Sequence, residues 1–118
     1  MPPSGKRLED QLQRMVLRWL RLQHPEVLVF HVPNGGLRAK AEACIMKGLG
    51  VVAGVPDLVL CFPGGVCRFL ELKSERGRLS VSQAGTIERL TAMGFDVAVV
   101  RDLDEAVTVV NGWVRADG

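Results

Sequence analysis

Gly54-Val55-Pro56-Asp57-Leu58-Val59-Leu60-Cys61-Phe62-Pro63-Gly64-Gly65-Val66-Cys67-Arg68-Phe69-Leu70-Glu71-Leu72-Lys73 reads as two strands, 57–62 and 66–73, folded about a tight turn. Alternation puts Cys67, Phe69, Glu71 and Lys73 on one face of the second strand and Val66, Arg68, Leu70 and Leu72 on the other. If residues 63–65 form the turn, Phe62 faces Val66 and, counting back, Asp57 faces Glu71 with Cβ atoms about 5 Å apart. A two-residue turn would put the two carboxylates on opposite faces, so the inference hangs on register. Facing carboxylates repel. A divalent cation between them removes that penalty and gains the hard oxygen ligands that Mg²⁺ favours. Lys73 beside the pair suits an ammonium that orients or helps deprotonate an attacking water and balances charge on a pentavalent phosphate. The plainer alternative is a solvated sheet edge, with Glu71 and Lys73 as surface charges and Asp57 as the turn residue after Pro56.

Upstream, Leu8, Leu12, Met15, Val16, Trp19 and Leu22 recur at helical spacing and predict a helix over 6–23. At about 100° per residue they share one face, with Asp10, Arg14 and Arg21 opposite. Glu9 falls inside the apolar sector, and Gln13 lies one turn later on the same side. A carboxylate placed there needs a partner, because unpaired burial is costly; the competing explanation is a frayed first turn, where negative charge suits the helix dipole. A β-branched and aromatic run predicts a strand over 27–32, followed by a second helix over 37–49. Between them, Pro33-Asn34-Gly35-Gly36 is a turn by composition; with Arg38 and Lys40 after it, it would also suit contact with a phosphate.

Downstream, residues 74–83 are polar and broken by Gly77, which predicts a loop running into a helix. Ser80 or Ser82 caps that helix and Gly94 stops it. Gln83, in its first turn, is placed to hydrogen-bond a phosphate or a water, and Arg76 and Arg78 extend a basic rim; each is also readable as an ordinary surface residue. Residues 96–100 predict a buried strand, and a last helix starts at Asp102 or Asp104 and ends near Gly112 or just beyond. The order α-β-α-β-β-α-β-α is that of an α/β protein with a mixed sheet flanked by helices. In the last helix, 107–114 with Trp113 offers a dimer surface or, more plainly, a core-packing face.

Composition narrows the class. The chain has 118 residues, 47% hydrophobic and 24% charged, which fits one folded domain spanning 1–118. A net charge of +2 does not announce a nucleic-acid binder, but Arg14, Arg18, Arg21, Arg38, Lys40 and Lys47 gather in the first half. No apolar run is long enough to span a bilayer and residues 1–6 lack a signal's apolar core, so the expectation is a cytoplasmic protein. Cys44, Cys61 and Cys67 are odd in number and without metal-ligand spacing, and are expected as small buried hydrophobes. His24 is expected at a solvated helix end, and His31 has no partner motif.

Together these residues resemble the VRR-NUC family of the PD-(D/E)xK nuclease superfamily. The resemblance rests on Pro56-Asp57 and Glu71-Leu72-Lys73, preceded by a helix with Glu9 and Gln13, the Asn34-Gly35-Gly36 turn and Gly50-Val51-Val52-Ala53-Gly54, and followed by Gly77-Arg78-Leu79-Ser80 with Gln83. It runs from about Glu9 to Ala106, with Asp10 the alternative to Glu9 as the helix carboxylate. It implies a restriction-endonuclease-like α/β fold in which Asp57, Glu71 and the backbone carbonyl of Leu72 bind Mg²⁺ or Mn²⁺. It assigns Lys73 to the attacking water, Glu9 to the metal site through water, and Gln83 to a supporting contact. It also implies cleavage of DNA, branched DNA such as Holliday junctions in particular, to a 5′-phosphate and a 3′-hydroxyl, by a homodimer encoded by a phage or bacterium. Two other functions fit: a non-catalytic junction-binding module, which would not need opposed carboxylates, and a sequence-specific restriction-type enzyme, for which the chain leaves little room.

Overall fold

The computed structural model describes residues 5–33 and 40–118. Its elements are α1 (Gly5–Gln23), β1 (Leu28–His31), α2 (Lys40–Gly48), β2 (Leu58–Phe62), β3 (Val66–Leu72), α3 (Val81–Ala92), β4 (Val97–Val100) and α4 (Leu103–Asp117). The four strands form one sheet in the order β1-β2-β3-β4. β1 pairs with β2 and β2 with β3 antiparallel, and β4 lies parallel to β3 after the α3 crossover. The mixed sheet flanked by helices is the architecture expected from the element order.

Helices α1 and α4 cover one face of the sheet. Leu12, Val16 and Leu20 from α1 and Ala106 and Val110 from α4 meet Val29, Leu58, Leu60, Phe62, Leu70, Leu72 and Val100 in one core. Complete burial of each large aliphatic side chain contributes about 1.5–3 kcal/mol. The opposite face is thinly covered: Val59, Cys61, Cys67, Phe69, Val97 and Val99 are half-buried, and Leu28 and Phe30 are exposed. Helix α3 lies alongside β4 and buries none of its residues fully.

The ends of several elements differ from expectation. α4 does not stop near Gly112 but continues to Asp117, because Asp117 grips Arg68 with two hydrogen bonds of 2.7 and 2.6 Å. Arg68 is buried on the core face of β3, receives Asp96 as a second partner at 3.0 Å and stacks its guanidinium over Phe62 and Trp113. These contacts put Trp113 against the core, so the core-packing alternative for that helix holds. β4 is an edge strand with only Val100 fully buried. The cysteines are not buried hydrophobes: Cys44 is exposed, and Cys61 and Cys67 face each other half-buried on the thinly covered side of the sheet. His24 is half-buried, with Nε2 2.9 Å from Asn111 Oδ1 and its ring edge-on to Trp19.

Candidate active site

The β2–β3 register decides the geometry. Phe62 pairs with Val66 across residues 63–65, and the pairing runs back to Leu58 opposite Leu70. One step further places Asp57 opposite Glu71. Gly64 and Gly65 both have positive φ, of 93° and 80°, which is why this turn needs two glycines. Glu71 and Lys73 are buried, 1% and 7% exposed, so the solvated-edge alternative fails for both.

Among the described residues, Glu71 alone has buried side-chain oxygens without a hydrogen-bond partner, both Oε1 and Oε2. The carboxylate facing it, Asp57, is itself an acceptor and takes the backbone N–H of Leu72 at 2.8 Å. Burial, then the facing Asp57, pushes the Glu71 pKa up to about 9; Lys73 pulls it down and Glu9 adds to the rise. A buried carboxyl without a donor costs about 1–3 kcal/mol, so local packing does not account for it. A divalent cation would: it would supply the missing partner and neutralise the repulsion. The donor set therefore fits such an ion, with Asp57 and Glu71 as the carboxylates. Among the described residues no three or more His, Cys, Asp or Glu side chains converge to hold a metal by themselves, so a hard cation here would complete its shell from backbone oxygen and water.

A cavity of about 410 Å³ opens beside Asp57; Glu9, Gln13, His31, Asp57, Leu72 and Gln83 are among the residues that line it, whereas the buried Glu71 and Lys73 are not. Glu9 comes from the first turns of α1, where its half-buried carboxylate accepts the Ser74 N–H at 3.3 Å. Asp10, exposed, also lines the cavity and pairs with Lys6 one turn away at 3.9 Å. Gln83 closes a capping box with Ser80: Gln83 N–H donates to Ser80 Oγ at 3.1 Å, and Ser80 N–H donates to Gln83 Oε1 at 2.9 Å. That leaves the Gln83 amide NH₂ as the group it can offer to the cavity. Arg76 and Arg78 are exposed. Asn34, Arg38 and the side chain of Lys40 lie outside the described residues.

Arg101, Gly54, Thr86 and His31, to none of which the sequence assigns a role at the site, help to build it. Arg101, at the end of β4, donates through Nη1 to the carbonyls of Ser74 at 2.8 Å, Glu75 at 3.3 Å and Gly77 at 2.6 Å. It draws residues 74–77 into a turn that presents Ser74 N–H to Glu9. A Cβ on Gly77 would lie 2.9 Å from Ser74 Oγ and 3.1 Å from Glu9 Oε2, so the turn packs against the carboxylate it holds. Gly54, at φ 82°, abuts the start of α3: a Cβ there would lie 2.3 Å from the carbonyl carbon and oxygen of Ser82. Thr86 Oγ donates to Ala53 O at 2.9 Å from the same helix, and together these contacts set Gln83 against the cavity. His31, on β1, donates Nδ1–H to the carbonyl of Asp57 at 2.8 Å, which fixes the chain just before β2. No linear motif signals Arg101 or His31, since each acts on main chain distant in sequence.

Comparisons with known proteins bear on the family and the fold. The sequence signature of the VRR-NUC domain matches residues 7–102. A solved structure of a VRR-NUC domain protein superposes with a TM-score of 0.73 at 22% identity, covering 91% of this chain and 88% of its own. A second solved VRR-NUC domain superposes with a TM-score of 0.64 at 23% identity, covering 88% of this chain and 95% of its own. At such identities these two speak for the fold alone. Among curated protein sequences none matches. With the signature spanning most of its length, the chain belongs to the VRR-NUC domain family, a family of nucleases that act on DNA.

Proposed function

We propose that this protein is a divalent-metal-dependent endodeoxyribonuclease acting on branched DNA, in the manner of a Holliday-junction resolvase, as a homodimer. The observation that carries the metal dependence is Glu71: a buried carboxylate with no donor on either oxygen, opposed across β2–β3 by Asp57. In this reading Asp57, Glu71 and the Leu72 carbonyl would hold Mg²⁺ or Mn²⁺, with Glu9 joined to the site through water. The cation supplies Lewis acidity, lowering the pKa of water and offsetting charge on the phosphate.

The chain's own groups do the rest. Lys73, buried next to Glu71, orients the attacking water as an ammonium donor while the water's proton passes to solvent, and its charge favours the pentavalent phosphate. The bond to Ser74 N–H holds Glu9 at the cavity wall, where it orients water. The NH₂ of Gln83 meets a phosphate oxygen at the helix start. Attack breaks the P–O3′ bond, leaving a 5′-phosphate and a 3′-hydroxyl. Two copies related by a two-fold axis would present two such sites to the two-fold-symmetric arms of a four-way junction; exposed Leu28 and Phe30 on edge strand β1 offer apolar surface for that pairing. Asn34, Arg38, Lys40, Arg76 and Arg78 complete the proposed DNA contacts.

The test is cleavage of labelled four-way junction, flap and linear duplex with Mg²⁺, Mn²⁺ or EDTA. Metal-dependent cutting that favours a branched substrate is expected. Tight junction binding with no cleavage in either metal would reduce the protein to a binding module.

A further inference from the structure

Arg14, Arg18 and Arg21 are exposed, and none of the three has an ion-pair or hydrogen-bond partner among the described residues. On α1 they fall within a stripe about 60° wide at about 100° per residue, and Arg7 continues the same line one heptad earlier. From Arg7 to Arg21 the stripe runs about 21 Å along the helix axis at about 1.5 Å per residue. The side chain bordering it on the cavity side, Asp10, lies about 40° from Arg14 and has its charge answered by Lys6. The other flank of Asp10 and Lys6 leads to Gln13 and Glu9, so stripe and cavity are neighbouring sectors of one helix.

Like charges stacked at helical spacing cost a few tenths of a kcal/mol per pair in the folded protein. A polyanion reverses the sign. We infer that this stripe is a docking ridge for a duplex arm of the substrate, tracking the phosphates of one strand away from the reaction site. The inference rests on the nuclease reading of the cavity only in supplying DNA as the ligand. A duplex fits better than a single strand for two reasons. The ridge lies on one helix and is as stiff as a duplex, where a single strand is flexible, and it carries no aromatic side chain on which bases could stack. The half-buried Trp19 lies on the far side of the helix, about 140° from Arg14.

The experiment is fluorescence anisotropy in EDTA, with labelled duplex and the matching single strand, over a NaCl series. Wild type is compared with the triple variant Arg14→Gln, Arg18→Gln, Arg21→Gln, since glutamine is nearly as good a helix former as arginine. Loss of two or three phosphate contacts should weaken duplex binding about 10-fold or more and flatten log K against log salt by about 2–3. An unchanged duplex slope overturns the ridge. A loss as large on the single strand overturns the duplex assignment. Cleavage plays no part in the readout, so a ridge-dependent protein that never cuts DNA would sink the nuclease proposal alone.

Discussion

Glu71 holds the molecule's main conflict between stability and chemistry. Its folded pKa lies above its ordinary value of 4.5, so in metal-free protein the protonated form is favoured by folding. The associated stability is fully present below about 4.5 and is lost as pH rises through about 9. Metal-free protein should therefore lose thermal stability between pH 5 and 9. Glu71→Gln should flatten that loss and raise stability at pH 8 by about 1–3 kcal/mol, while abolishing cleavage. Thermal melts in EDTA at several pH values check this; a variant less stable than wild type at pH 8 contradicts it. Gly54→Ala is the converse case. Its Cβ meets Ser82 backbone at 2.3 Å and the φ of 82° disfavours alanine, so both stability and the placement of Gln83 should suffer. Denaturant melts should show a loss of several kcal/mol.

Among the elements, the 74–77 turn and the α4 terminus depend on single arginines. Arg101→Met removes the donor shared by three carbonyls, freeing the turn that presents Ser74 N–H to Glu9. Small displacements of aligned groups cost up to about 10²-fold in rate. Single-turnover cleavage should thus fall about 10- to 100-fold, with duplex affinity nearly unchanged; loss of affinity alone would assign Arg101 to DNA contact instead. At the other end, the Arg68 guanidinium holds the Asp117 carboxyl below its usual range. A depressed folded pKa gives stability that is present above the unfolded value and lost as pH falls through the folded one. Asp117→Asn should lower the melting temperature at pH 7, and the difference from wild type should shrink below pH 4. Equal melting temperatures at pH 7 would show that the clasp carries no stability.

Over the whole molecule, sequence pattern and structure agree where physics is local. The hairpin was legible in its turn and its alternation, but its register hung on the turn length, which the structure settles as three residues, burying Leu58, Leu60, Leu70 and Leu72 together. Glu9 was legible as a carboxylate inside an apolar sector, and the α3 cap as one of two serines, Ser80 or Ser82, of which Ser80 is the one used. The length of α4 was not, because it is set by Asp117 meeting Arg68 from a strand 49 positions away. Arg101 and Gly54 were hidden for the same reason: their partners are main-chain atoms brought near only by the finished fold. The burial of Glu71 was also beyond the pattern, since alternation assigns a face but not its cover.

The central claim is that Asp57 and Glu71 form a divalent-cation site. Calorimetric titration of Mn²⁺ into metal-free protein at pH 8 tests it most directly, without DNA or cleavage. One site per chain is expected in wild type, lost in Glu71→Gln and in Asp57→Asn. Equal Mn²⁺ affinity in wild type and both variants would contradict it.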